Sequence, residues 1–300
     1  MIATREDTPT TGREDWSPYY SQSLALKCPI WEVLLKGDRG GGKTHCLIAD
    51  FLKDVGVGWG PRWRGVLFRR EYKDLADVIA KSRDLITKAF PGARFLASAS
   101  ELRWKFPDGE DLRFRAIKRT GLNNDYDGYH GQEIPWLGFE QLEEWPDAEL
   151  YLPFFSCSRS STEGMPLRIR STANSYGRGH NWIKRRFINA GAPGEVIAET
   201  IVDTLGAVHE VKRTYLTLRR RENIHLAKAD PTYEARLMTD TNKARRAAWV
   251  DDNWDIVAGG MFDAVWDRKV HVLEPFKVPP SWAVDISFDW GSAKPFCALW

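Results

Sequence analysis

Eight consecutive residues, GDRGGGKT at positions 37–44, restrict the possible folds of this chain more than any other feature. They match the pattern G-x-x-x-x-G-K-[ST], in which the chain leaves a strand, wraps round phosphate groups and enters a helix. Glycines lack the Cβ that would keep backbone N–H groups away from phosphate oxygens. The residues predicted to form this phosphate cradle are Gly37, Asp38, Arg39, Gly40, Gly41, Gly42, Lys43 and Thr44.

Three side chains of the cradle indicate its ligand, which we predict to be ATP with Mg²⁺. Lys43 supplies positive charge to the β- and γ-phosphate oxygens, and Thr44 offers its hydroxyl to the metal ion. Arg39 has two interpretations. It either contacts the γ-phosphate from within its own chain and stabilises charge as the bond breaks, or it is an ordinary surface arginine.

Short apolar runs alternate with helical patterns along the chain. The runs predicted to be buried strands are residues 30–35, 65–68, 134–139 and 167–172. Residues 71–90 carry apolar side chains at helical spacing, and residues 102–106 and 112–116 flank a Pro-Asp-Gly-Glu turn that predicts a hairpin. These patterns predict an α/β fold with a mostly parallel sheet flanked by helices, which binds ligands at the carboxyl ends of its strands.

The character of the sequence changes along its length and predicts four parts. They are a flexible arm at 1–17, a P-loop ATPase domain at 18–215, a helical lid or linker at 216–258, and the beginning of a second domain at 259–300. The last part is aromatic and strand-like up to its end. We therefore expect this sequence to stop early in the second domain.

The net charge of +2 over 300 residues provides no argument for a nucleic-acid partner, which would need local basic patches. Two basic runs, residues 184–186 and 219–221, either contact DNA phosphates or form solvated faces. The four cysteines lack metal-ligand spacing, so we expect no zinc site and a reducing compartment. The sequence has no apolar signal region or membrane span, which leads us to expect an intracellular protein.

A magnesium-dependent P-loop enzyme needs an acid at the end of a strand beside the loop. Glu140 is the candidate, because it directly follows an apolar run. Gln141 comes next, where a base would activate water, but an amide orients water and cannot take its proton. Either Gln141 is an engineered replacement of glutamate, which the chemistry of the pair favours, or the base lies elsewhere. Glu143 and Glu144 are nearby candidates, although an exposed acidic loop is their more usual role.

The chain resembles the large terminase subunits of phages over nearly its whole length. The similar segments are GDRGGGKT at 37–44, YHGQEIPWLGFEQLEEW at 129–145, STANSYGRGHNWIKRRF at 171–187, WDIVAGGMFDAVWD at 254–267 and FDWG at 288–291. Their order is that of the family, which makes the set more specific than any one motif. The resemblance implies a P-loop NTPase of the additional-strand type, with a small helical lid and a truncated ribonuclease H-like second domain.

The resemblance also implies roles for two single residues. Asn174 corresponds to the family's coupling residue, which senses the γ-phosphate, although the family often has proline where this chain has Ser175. Asp289 corresponds to the first metal-binding carboxylate of the nuclease. Two-metal hydrolysis needs further acids, which would lie beyond residue 300, so we do not expect this chain to cut DNA.

The resemblance also implies an adenine contact and an arginine finger. Members of the family contact adenine with residues upstream of the loop, and Tyr20 and Gln22 are candidates by position only. Arg115 or Arg119 is a candidate for an arginine finger that one subunit inserts into its neighbour.

The resemblance implies an ATP-driven motor that moves double-stranded DNA into a viral procapsid in the host cell cytoplasm. Its implied partners are DNA, a portal protein, a small terminase subunit and further copies of this chain in a ring, without a membrane. Two alternatives remain: another helicase-like P-loop ATPase, or an ATP-binding assembly module that does not hydrolyse, which Gln141 favours. A longer protein of this family would also be a metal-dependent endonuclease.

Overall fold

A computed structural model of the chain describes residues 16–117, 119–120, 123–256, 268–283, 285–289 and 297–299. The chain divides into two compact units, Met1–Ala264 and Val265–Trp300. The predicted arm at 1–17 lies outside the described residues except for its last two. None of the helices in the described ranges has the length and apolar character needed to cross a membrane.

The strands and helices are numbered in chain order. The strands are β1 (Glu32–Lys36), β2 (Arg64–Arg69), β3 (Arg94–Leu96), β4 (Arg103–Lys105), β5 (Asp111–Ala116), β6 (Arg119–Thr120), β7 (Asn123–Asn124), β8 (Trp136–Phe139), β9 (Arg168–Ala173), β10 (Ile197–Val202), β11 (Val208–Thr217), β12 (Ser287–Asp289) and β13 (Cys297–Leu299). The α-helices are α1 (Tyr20–Lys27), α2 (Lys43–Leu52), α3 (Leu75–Ala89), α4 (His180–Ile183), α5 (Ile224–Ala229), α6 (Tyr233–Met238), α7 (Lys243–Asp251) and α8 (Arg268–His271).

Short helical turns of other types connect these elements. The 3-10 turns are Gly60–Arg62, Tyr72–Asp74, Asp125–Tyr129, Leu142–Glu144, Ala148–Leu150, Leu152–Cys157 and Arg220–Glu222, and α4 continues into a π-helical turn at Lys184–Ile188.

A nine-stranded sheet organises the first unit, in the order β10-β11-β1-β9-β8-β2-β5-β4-β3. The six strands from β11 to β5 are parallel, and antiparallel strands close both edges. Strand β9 lies between β1, which leads into the phosphate cradle, and β8, which leads to Glu140. This inserted strand confirms the additional-strand P-loop fold. Since parallel strands end at the same edge, it also brings the ends of β1, β9 and β8 together.

Apolar side chains bury both faces of the sheet. Leu67 belongs to the cluster formed with α2 and α3, whereas Val66 and Phe68 belong to the cluster on the other face, which includes Trp145 and Phe187. Strands covered on both sides read as continuous apolar runs, as the sequence does here. The strand ends therefore project from a packed platform.

The four predicted buried strands, the helix and the β4–β5 hairpin are confirmed, with boundaries shifted by up to four residues. The β10–β11 hairpin was not predicted. Most side chains of β10 and of the first half of β11 are exposed, so this segment has no apolar run to reveal it. The predicted end of the ATPase domain, residue 215, falls inside strand β11, which continues to Thr217.

Candidate active site

The loop between β1 and α2 is wrapped rather than extended. Gly37, Gly40 and Gly42 have φ values of 147°, 88° and 69°, a region that residues with a side chain rarely adopt. A Cβ on Gly37 would lie 1.9 Å from the carbonyl oxygen of Leu218. Glycine is therefore required here both by conformation and by space, and α2 begins directly after the loop with its N–H groups facing the cradle.

Lys43 is the buried cation of the loop. Its Nζ donates to the carbonyl oxygens of Gly37 at 2.8 Å and Asp38 at 2.7 Å, and to Asn174 Oδ1 at 3.0 Å. Burial lowers the pKa of Lys43 to about 8, although the nearby Glu143 carboxylate acts in the opposite direction. The ammonium group is still mainly charged at neutral pH, as a phosphate ligand must be.

Thr44 and Glu140 bring two oxygen donors together at the end of β8. Thr44 Oγ1 donates to Glu140 Oε1 over 2.9 Å, and Glu140 is only 4% exposed. Hydroxyl and carboxylate oxygens are the ligands that Mg²⁺ prefers, so this pair fits the predicted metal ion. Arg69, the last residue of β2, forms an ion pair with the other carboxylate oxygen of Glu140. The sequence analysis did not identify Arg69, because its position at the end of a buried strand does not reveal that β2 lies next to β8.

Gln141 begins the turn after β8 in the left-handed conformation, with φ 55° and ψ 59°. Its backbone N–H donates to Thr172 Oγ1 over 2.9 Å, which links the end of β8 to β9. Gln141 lines a cavity of about 440 Å³ together with Lys43, Thr44, Glu140 and Asn174. The structure thus brings the sequence-predicted phosphate, metal and water residues to one cavity, while their catalytic roles stay predictions.

Glu143 corrects the expectation of an exposed acidic loop. It is only 2% exposed, and its Oε1 accepts a hydrogen bond from Asn174 Nδ2 over 2.6 Å. Burial raises the pKa of Glu143 to about 7, although the hydrogen bond from Asn174 favours the charged form. Glu144, the other nearby acid, is exposed as expected. The difference arises because the segment that follows β9 packs over Leu142 and Glu143 of the 3-10 turn Leu142–Glu144 and leaves Glu144 at the surface.

The raised pKa of Glu143 predicts a pH-dependent cost to stability. Its folded pKa of about 7 lies above the ordinary 4.5, so folding takes up a proton between these pH values and stability decreases as pH rises through them. We expect the Glu143→Gln protein to be more stable than the wild type at pH 8, with an unfolding free energy higher by up to about 3 kcal/mol. At pH 4.5 the difference should disappear. Thermal melts at both pH values, with Glu144→Gln as the exposed control, would measure this; equal differences at both pH values would contradict it.

Arg39 lies against the end of α7. Its guanidinium carbon is 3.7 Å from the centre of the Trp249 ring, and its backbone N–H donates to the Trp249 carbonyl over 3.0 Å. Arg220 joins the same contact, because its backbone N–H donates to Asp38 Oδ1 over 2.7 Å and its Nη1 donates to the Arg39 carbonyl over 3.1 Å. The predicted lid is therefore attached to the cradle at Arg39.

The two basic runs are only partly exposed. Arg186 Nε and Nη2 bind both oxygens of the buried Glu32 carboxylate, at 2.8 and 2.7 Å, and Lys184 pairs with Asp255 at 2.9 Å. Arg220 is engaged by the cradle, as described. The members of these runs that are exposed to solvent are Arg185, Arg219 and Arg221.

A second cavity of about 370 Å³ adjoins the cradle, lined by residues that include Trp16, Tyr19, Gln22, His45, Asn223 and Leu226. Gln22 Nε2 donates to the Gly42 carbonyl over 3.0 Å, so this predicted adenine contact does lie beside the loop. Tyr20 does not, since it is 75% exposed. Tyr19 lines the cavity instead, because it lies three residues before Gln22 on the same face of the helical turn.

The remaining predicted residues lie elsewhere. Arg115 donates to the carbonyl oxygens of Ser100 and Glu101, at 3.1 and 2.7 Å, on a half-buried site at the end of β5. The side chains of Arg119 and Asp289 lie outside the described residues, as does most of the motif at 254–267.

Solved structures with a similar fold were found, although no protein-family model and no curated protein matches the sequence. The large terminase of the thermophilic bacteriophage D6E in complex with ADP superposes with a TM-score of 0.58 at 14% identity, over 93% of this chain. The fold is that of phage large terminases. The D6E terminase in complex with ATP-gamma-S has a TM-score of 0.56 at 15% identity.

The ATPase domain alone carries much of this likeness. The large terminase ATPase domain of Thermus phage P74-26 matches with a TM-score of 0.50 at 11% identity, covering 80% of this chain and 94% of that domain. In contrast, this chain spans 63% of the length of the D6E terminase. Four residues at or beside the site were not predicted from the sequence. Tyr19 and Asn223 line the cavity beside the cradle, Arg69 pairs with Glu140, and Trp249 contacts Arg39.

Proposed function

We propose that the chain is the ATP-hydrolysing part of a large terminase, a motor that translocates double-stranded viral DNA into a procapsid. One observation supports this most: Lys43, Thr44, Glu140 and Asn174 meet in one cavity at the carboxyl edge of an additional-strand sheet. The terminase fold and the nucleotides bound to the D6E protein support ATP as the ligand.

Each residue of the cavity has a task in this proposal. The cradle amides and Lys43 bind the phosphates, and Thr44 with Glu140 would hold Mg²⁺, which supplies charge neutralisation when bound. Gln141 orients the attacking water through its amide, and Arg39 approaches the developing charge from the lid side. Tyr19 and Gln22 contact the adenine base of ATP, since they line the cavity beside the phosphate cradle.

The wider context belongs to the same proposal. Copies of the chain form a ring on the procapsid with a portal protein and a small terminase subunit in the host cytoplasm, and exposed Arg185, Arg219 and Arg221 contact DNA phosphates without reading sequence. A longer protein would add a metal-dependent endonuclease whose first acid is Asp289. Two rivals differ in testable ways: a helicase-like ATPase acts on single strands, and an assembly module does not turn over ATP.

Stimulation by DNA separates these functions. We expect ATP turnover by the purified chain to rise several-fold with linear duplex DNA and to respond less to the same mass of single-stranded DNA. Because phosphate contacts release counterions, the stimulation should weaken as salt increases. Stronger stimulation by single strands would favour the helicase-like enzyme. Absence of turnover under all conditions would favour the assembly module.

A further inference from the structure

A buried carboxylate lies directly behind the amide that contacts Lys43. Asn174 Oδ1 accepts a hydrogen bond from Lys43 Nζ over 3.0 Å, and Asn174 Nδ2 donates one to Glu143 Oε1 over 2.6 Å. Asn174 lines the phosphate cavity, whereas Glu143 is not among the residues that line it. Glu143 therefore reaches the cavity by hydrogen bonding only through Asn174, while its charge also acts on Lys43.

The chemistry of the two partners determines which way the amide points. A carboxylate accepts hydrogen bonds and an ammonium group donates them, while an amide has one donating and one accepting end. With Nδ2 toward Glu143 and Oδ1 toward Lys43, Asn174 makes two favourable contacts. The opposite orientation would place oxygen against oxygen and NH₂ against ammonium.

The backbone around Glu143 holds the carboxylate in place. The Gly179 N–H donates to the Glu143 carbonyl over 2.7 Å, and a Cβ on Gly177 would lie 2.5 Å from that same oxygen. The segment after Asn174 thus folds closely over the Glu143 turn. Glu143 Oε2 is buried as well, so the whole carboxylate is covered from solvent.

We propose that Glu143 is a positioning residue that makes Asn174 present its oxygen, and not its NH₂ group, to the γ-phosphate end of the cavity; this role rests on the proposed function. A triphosphate that binds Lys43 competes with Asn174 Oδ1 for the ammonium group. The γ-phosphate oxygens then face Asn174 Oδ1, which accepts hydrogen bonds and so cannot bind them, whereas the NH₂ group would have donated to them. The amide is thereby displaced, and with it the segment that leads from Asn174 through Ser175 toward Ala248 of α7.

Nucleotide affinities test this orientation without requiring hydrolysis. In the Glu143→Gln protein, residue 143 can both donate and accept, so Asn174 can turn its NH₂ group toward the γ-phosphate. We expect the ratio of the ADP to the ATP-gamma-S dissociation constant to rise about fivefold, the effect of one hydrogen bond. Calorimetry with Mg²⁺ at pH 8, where the Glu143 carboxyl is mainly ionised, measures it. In an Asn174→Ala background the same substitution should change the ratio less than about twofold, because no amide remains to turn.

Several outcomes would overturn the role of Glu143. They are an unchanged or reduced ratio in Glu143→Gln, and an equal rise with and without Asn174, which would leave only the loss of charge near Lys43. Glu144→Gln is the matched control and should keep the wild-type ratio. Turnover measured in parallel separates the two proposals. Normal turnover with an unchanged ratio contradicts only the role of Glu143, and absent turnover with the expected ratio contradicts only the motor. A wild type that binds neither nucleotide contradicts both.

Discussion

ATP turnover by the Lys43→Ala protein is expected to be at least about 100-fold below that of the wild type, a loss of roughly 3 kcal/mol in transition-state stabilisation. Lys43 is the buried ammonium group of the cradle, held by three acceptors at 2.7 to 3.0 Å. Alanine removes the charge that the β- and γ-phosphate oxygens need and leaves the two loop carbonyls facing them. Steady-state phosphate release measures the effect.

Lys73→Ala is the matched control for this result, because Lys73 is exposed on a 3-10 turn away from the cavity. It should keep the wild-type rate. Equal rates in Lys43→Ala and the wild type would show that the hydrolysis does not take place in this cradle. Thermal melts of both variants would exclude loss of folding as the cause.

Replacing Gln141 by glutamate is expected to increase ATP turnover about 100-fold, the usual contribution of a positioned general base. Gln141 lines the phosphate cavity directly beside Glu140, and its backbone is held in the left-handed conformation by the bond to Thr172. An amide in that place orients water, whereas a carboxylate also takes its proton. Single-turnover measurements at saturating ATP would isolate the chemical step.

Gln132→Glu introduces the same change outside the cavity and should leave the rate unaltered. If Gln141→Glu and the wild type turn over ATP equally, position 141 is not the site of the base, and glutamine there is not a replaced catalytic residue. If neither protein turns over ATP while both bind it, the chain acts as an assembly module.

The sequence predicted those parts of the site that depend on local pattern. The cradle is a contiguous motif, and Glu140 and Asn174 each follow a buried strand, so parallel topology alone brings them to one edge. Tyr20 illustrates the limit. Choosing between Tyr20 and Tyr19 required knowing which face of α1 points toward the loop. Helix α1 was not predicted, and the position of Gln22 alone did not show which face that is.

Other features depend on contacts between distant segments. Glu143 looked like part of an acidic loop, and only the packing of Gly177 and Gly179 over its turn makes it a buried partner of Asn174. Arg69 pairs with Glu140 across neighbouring strands, and strand order cannot be read from spacing along the chain. Each of these residues has a charged side chain, and each is buried only because another segment of the chain covers it.

The contact between Arg39 and Trp249 couples the loop arginine to the predicted lid. The Arg39 guanidinium carbon lies over the Trp249 ring, in a cation–π contact. Such a contact is worth about 1 kcal/mol, enough to bias the arginine about fivefold toward the tryptophan without locking it there. A displacement of α7 by even a few tenths of an ångström would therefore carry a positive charge with it, so that force on the lid is also a change of electric field in the cradle.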